Sequence, residues 1–98
     1  MTLIEKLKKL GFKDSNNNYN KEDLCFMIER HKKDRFKYDL VYSVKQNTMF
    51  IFAYKSDLKL IEEKELLRNH NNLATGAKNK YLEIKEALKG FNYEIYEG

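Results

Sequence analysis

The sequence predicts a single small α+β domain: a helix, a three-stranded antiparallel meander, two helices and a short C-terminal edge strand. Three observations predict it. Side chains alternate with the two-residue period of a strand along Phe36 to Val44 and again along Met49 to Ala53. The two runs meet at Lys45-Gln46-Asn47-Thr48, a polar stretch of hairpin-turn size. Further on, Leu73, Ala77, Tyr81, Ile84 and Leu88 recur at helical spacing and are stopped by Gly90.

Taken in order, Thr2 caps a first helix with Leu3, Leu7 and Leu10 along one side and Ile4 beside them, and Gly11-Phe12 ends it. Asp14 to Asn20 is polar and turn-prone and reads as a loop. Leu24 to His31 fits either period. Asn20 would cap a helix carrying Leu24, Met27, Ile28 and His31, while Leu24, Phe26 and Ile28 alternate as in a strand. The strand is favoured because two registers agree. With Lys32-Lys33-Asp34 as a three-residue loop, Ile28 falls opposite Tyr38, Phe26 opposite Leu40 and Leu24 opposite Tyr42. Pairing Val44 with Met49 puts Tyr42 opposite Ile51 and Leu40 opposite Ala53, which selects the same apolar face. Ser56 or Asp57 then caps a second helix to about Arg68. Its Leu58, Ile61 and Leu66 point one way and Leu60 and Leu67 another, a two-sided pattern that permits a homodimer. Residues 68 to 72 break this helix before the third one. The tail Phe91 to Tyr96 alternates again and supplies the edge strand.

The second face of the meander carries the functional interest. Val41 and Ser43 sit opposite Phe52 and Phe50, with Tyr54 beyond and Lys37, Lys45 and Lys55 around them, making an aromatic platform with a cationic rim. Such a face binds a partner or lies under a helix of the same chain, and the third helix is the obvious lid.

Charge is placed unevenly. Of the 98 residues, the first 55 hold 12 Lys/Arg against 7 Asp/Glu, net +5, and the remainder 7 against 8, net −1. The densest basic stretch is Arg30, Lys32, Lys33, Arg35 and Lys37, offset within it only by Asp34. Charge interrupts the apolar residues of the N-terminus, and no stretch reaches transmembrane length, so a cytoplasmic protein without membrane partners is expected. Cys25, the one cysteine, has no disulfide partner within the chain and reads as a small core residue.

Catalytic and cofactor signatures are weak. His31, His70 and Cys25 are too scattered for a metal site, and four isolated glycines form no phosphate loop, so neither metal nor cofactor is expected. Glu29 and His31, with Arg30 and Lys33 near, resemble a nuclease acid–base pair only in composition; as the polar end of a strand they need no catalytic role. A helix ending Leu10-Gly11-Phe12 before three strands and a helix resembles the element order of double-stranded-RNA-binding folds and of small HicA-type ribonuclease toxins. The toxins' glycine-serine-histidine segment has no counterpart here: Asp14 to Asn20 contains no His.

What remains is binding. Arg30, Lys32, Lys33, Arg35 and Lys37 suit phosphates, and Phe50, Phe52 and Tyr54 suit bases or a protein. Tyr19, Tyr38, Tyr93 and Tyr96 are further interface candidates. The first expectation is a non-enzymatic, phage-type or anti-CRISPR-like inhibitor or regulator of a protein complex that handles nucleic acid. Direct RNA or DNA binding through the basic turn is the alternative, and a toxin-type ribonuclease a distant third.

Overall fold

The computed structural model describes residues 1–15, 22–31, 36–68 and 75–98, leaving out the side chains of His31, Phe36 and Thr75. The elements are α1 (Leu3–Leu10), β1 (Lys13–Asp14), β2 (Leu24–His31), β3 (Phe36–Ser43), β4 (Thr48–Tyr54), β5 (Leu58–Ile61), α2 (Glu63–Arg68), α3 (Thr75–Ala87) and β6 (Glu94–Ile95). β1 to β5 form one antiparallel sheet in sequence order. β3 runs along one side of β4 for its whole length, so β5 and β6 share the other: β5 pairs with residues 51–54 and β6, in parallel, with Thr48 and Met49.

The α+β class and the order of the predicted elements hold, and residues 24–31 are a strand. Local signals explain α1. Thr2 Oγ1 accepts the Glu5 amide at 3.2 Å and its hydroxyl donates to the Glu5 carboxylate, and Gly11 takes φ 111° to close the helix. A side chain there is excluded twice over, since a Cβ would also lie 2.8 Å from the Phe26 ring.

Four expectations change. The helix expected from Ser56 or Asp57 starts only at Glu63, because Leu58-Lys59-Leu60-Ile61 forms β5. The open edge of β4 offers these residues a hydrogen-bonded ladder, and that outweighs their helical propensity. The β3–β4 register is displaced by two residues: Tyr42 faces Met49, Leu40 faces Ile51 and Tyr38 faces Ala53. A two-residue slip preserves which side chains share a face, so the apolar face was rightly identified from the wrong pairing. Asn47 fixes the observed register. It sits at φ 50°, accepts the Tyr42 hydroxyl at 2.6 Å and donates to the Asn92 carbonyl at 3.0 Å. Third, Phe26–Leu40 and Leu24–Tyr42 pair as expected, but a bulge between Met27 and Glu29 puts Glu29, not Ile28, opposite Tyr38. Fourth, five strands in succession replace the three of the double-stranded-RNA-binding and toxin order.

All the helices pack on one face. Leu7, Leu40, Ile51, Leu66, Tyr81 and Leu88 are essentially inaccessible and belong to a single core cluster. α3 lies over β2 and against α2. Its N-terminus is held by the bulge: the Ala77 amide donates to Glu29 Oε2 at 2.8 Å. A carboxylate satisfies a free amide at a helix start and complements the helix dipole.

Candidate docking face on the sheet

The register places the second face row by row. Lys13, Cys25, Val41 and Phe50 form one row across the sheet, Met27, Asp39, Phe52 and Leu60 the next, and Arg30, Lys37, Tyr54 and Leu58 the third. None of these twelve residues belongs to the core cluster. α3 covers the opposite face, so the expected helical lid is not there. Val41, Asp39 and Ser43 on the central strand are buried between their neighbours. Phe50, Phe52 and Tyr54 are half-buried, while Met27 (54% exposed), Leu58 (47%) and Leu60 (36%) stand well into solvent.

Two-layer antiparallel sheets ordinarily present polar residues on their free face. This one presents rings and aliphatic side chains instead. The Phe50 and Phe52 ring centroids are 6.5 Å apart, and Tyr96, reaching across from beyond β6, adds a third ring 5.4 Å from Phe50. Phe50, Phe52, Val41 and Leu60 wall a shallow depression of about 210 Å³, with Asp23 and Ser43 as polar lining. Lys37 Nζ lies 4.4 Å over the Tyr54 ring and 3.9 Å from the Asp39 carboxylate. Cys25 is half-buried on this face rather than in the core. Burial, reinforced by the Asp39 charge and opposed by Lys37, pushes its thiol up to about 11, far from a reactive thiolate.

Of the basic residues singled out in the sequence, the structure brings Arg30 and Lys37 side by side on this face; Arg30 is exposed and has no ion-pair partner among the described residues. Lys32, Lys33, Arg35 and Tyr19 lie outside the described residues, as does His70. Lys45 and Lys55 are exposed in the turns flanking β4. Tyr38, expected among the interface tyrosines, is buried beneath the helices instead. Sequence reasoning missed Lys13, Met27, Leu58 and Leu60. The alternation of Leu58 and Leu60 around Lys59 was the available signal for two of them.

A second polar cluster lies on the helix side. The Tyr81 hydroxyl donates to the Glu63 carboxylate, and Lys85 Nζ approaches the same oxygen at 2.9 Å. Burial would raise the Glu63 carboxyl, but the hydrogen bonds from Tyr81 and Lys85 and the lysine charge prevail and hold it below its ordinary range. Burial, together with the Glu63 bond, pushes Tyr81 well above the usual phenol range. This arrangement joins α2 to α3 and uses its polar atoms on itself.

Among the described residues no cluster of His, Cys, Asp or Glu fits a metal, and no helix is long and apolar enough to cross a membrane. No protein-family model, no curated protein and no solved structure matches the chain.

Proposed function

We propose that this chain is a non-enzymatic binding protein that docks its partner on the sheet face that none of the described helices covers and acts on cytoplasmic machinery that handles nucleic acid, in the manner of a phage-type, anti-CRISPR-like inhibitor or regulator. One observation carries the reading: an antiparallel sheet with helices on one face keeps Met27, Phe50, Phe52, Tyr54, Leu58 and Leu60 on the other. Apolar residues grouped on an outer surface mark interaction sites, and aromatic and Met side chains are the types enriched at interface centres. Glu29, the one acid of the nuclease-like pair whose side chain is described, holds the start of α3, which argues for a structural use of that carboxylate. Basic residues at the margin of the face suit a target built around nucleic acid.

Capture from a host lysate tests this reading. The tagged chain is expected to retain a defined complex that a Met27→Glu/Leu60→Glu variant loses and a Leu82→Glu variant keeps, Leu82 being exposed on the outer side of α3. Equal retention by all three would overturn it.

A further inference from the structure

We infer that the occupant of this face is single-stranded nucleic acid, with bases against Phe50, Phe52 and Tyr54 and phosphates on Lys13, Arg30 and Lys37. The inference rests on the reading of this face as a docking surface and names what docks there.

The accessible charge on this face is mostly basic. The accessible charges that the strand register puts on this face are Lys13, Arg30 and Lys37, with Glu94 the one acid, at a far corner beside Thr48. Asp39 is buried next to Lys37, and Asp23 is buried in the depression. Arg30 lies directly across from Lys37. Asp39 beside Lys37 offsets part of the repulsion between the two cations, and Arg30, with no ion-pair partner among the described residues, is left to take an anion.

The ring spacing suits a polynucleotide. Phe50, Phe52 and Tyr54 repeat every second residue along β4, about 6.7 Å apart as a strand dictates, which is close to the reach of one extended nucleotide. Half-buried rings on a sheet surface offer apolar area on which an unpaired base can stack. A duplex hides those base faces and presents groove edges and phosphates, so the rings contribute only when the bases are unpaired. An acidic protein patch would satisfy the cations but would have no use for the regular two-residue repeat of the rings.

Anisotropy of fluorescein-labelled oligo(dT) and oligo(rA) of about 12 nucleotides, the site size of one such platform, tests the inference with the full chain. Binding is expected in the micromolar range. Three phosphate contacts predict about a 20-fold loss between 50 and 200 mM salt. Lys13→Glu/Arg30→Glu is expected to lose tenfold or more, whereas Lys9→Glu/Lys89→Glu, with the same charge change at exposed sites of the helix layer, stays within about twofold. Tyr54→Leu is expected to lose about fivefold, the lower end of one stacked base. Thermal unfolding checks that each variant folds. Absence of binding by the folded wild-type chain, or an equal loss in both charge variants, overturns the inference. The lysate capture separates the two levels. A nuclease-resistant protein complex kept by the wild type and lost by Met27→Glu/Leu60→Glu leaves the docking face standing and overturns its nucleic-acid occupant. The same complex kept by that variant overturns both.

Discussion

Asn47 shows how one residue sets a register. Its positive φ, its acceptance of the Tyr42 hydroxyl and its bond to the Asn92 carbonyl join the β3–β4 turn to the approach of β6. Asn47→Gly keeps the backbone freedom and loses both side-chain bonds, so it is expected to cost about 1–2 kcal/mol in urea unfolding. Asn47→Asp keeps the Tyr42 contact and loses only the donor to Asn92, so it is expected to cost less. Glu63 gives a prediction with a pH window. Its folded-state pKa lies below the unfolded value near 4.5, so its contribution is present in full above that pH and is lost as pH falls through the lower folded value. Glu63→Ala is therefore expected to cost about 2 kcal/mol at pH 7, a difference that narrows on acidification below about pH 4. Cys25, with its thiol pushed up to about 11, is expected to react with a disulfide reagent at pH 8 about tenfold more slowly than free cysteine, recovering in urea.

At the scale of elements, bulge and helix are one device. The bulge that turns Glu29 toward the helix layer supplies the acceptor for the α3 amide. Glu29→Ala is expected to cost about 1–2 kcal/mol and to speed hydrogen exchange at Ala77 while leaving β3 and β4 unchanged. A bulge is invisible in a sequence pattern, because Leu24, Phe26 and Ile28 alternate as an uninterrupted strand would. Other elements were legible for physical reasons. Thr2 and Gly11 bound α1 by local chemistry alone, and the stripe Ala77, Tyr81, Ile84 and Leu88 is buried as its spacing required. β5 was not legible, since Leu58, Leu60, Ile61, Leu66 and Leu67 fit a helix nearly as well as a strand joined to a shorter helix. The free edge of β4 decided the matter, and no local signal reports a free edge.

Across the whole molecule, the face was legible and its cover was not. The alternation at Phe50, Phe52 and Tyr54 put them together on one side whichever of two registers is used. Which side the helices choose is a long-range question, settled by where α1, α2 and α3 bury their leucines and Tyr81. Stability is expected to follow the same layering. β3, paired along both sides and buried beneath the helices, should exchange its amides only through global unfolding, whereas β5, with no strand beyond it among the described residues, should exchange through smaller openings. Mass-resolved hydrogen exchange checks this ranking, and equal protection in the two strands would contradict it.

The parallel insertion of β6 beside β4 bears on how the chain is made. Strands β2 to β5 follow one another through short connections, so a ribosome can release them as hairpins that close in order. Thr48 and Met49 must wait for partners 46 residues later, at Glu94 and Ile95. During synthesis, the amides and carbonyls at the start of β4 therefore face outward until two helices have been added. Tyr96 joins the outer row of rings only after that step, so this row is completed late in folding, and a nascent chain would carry it in an unfinished form.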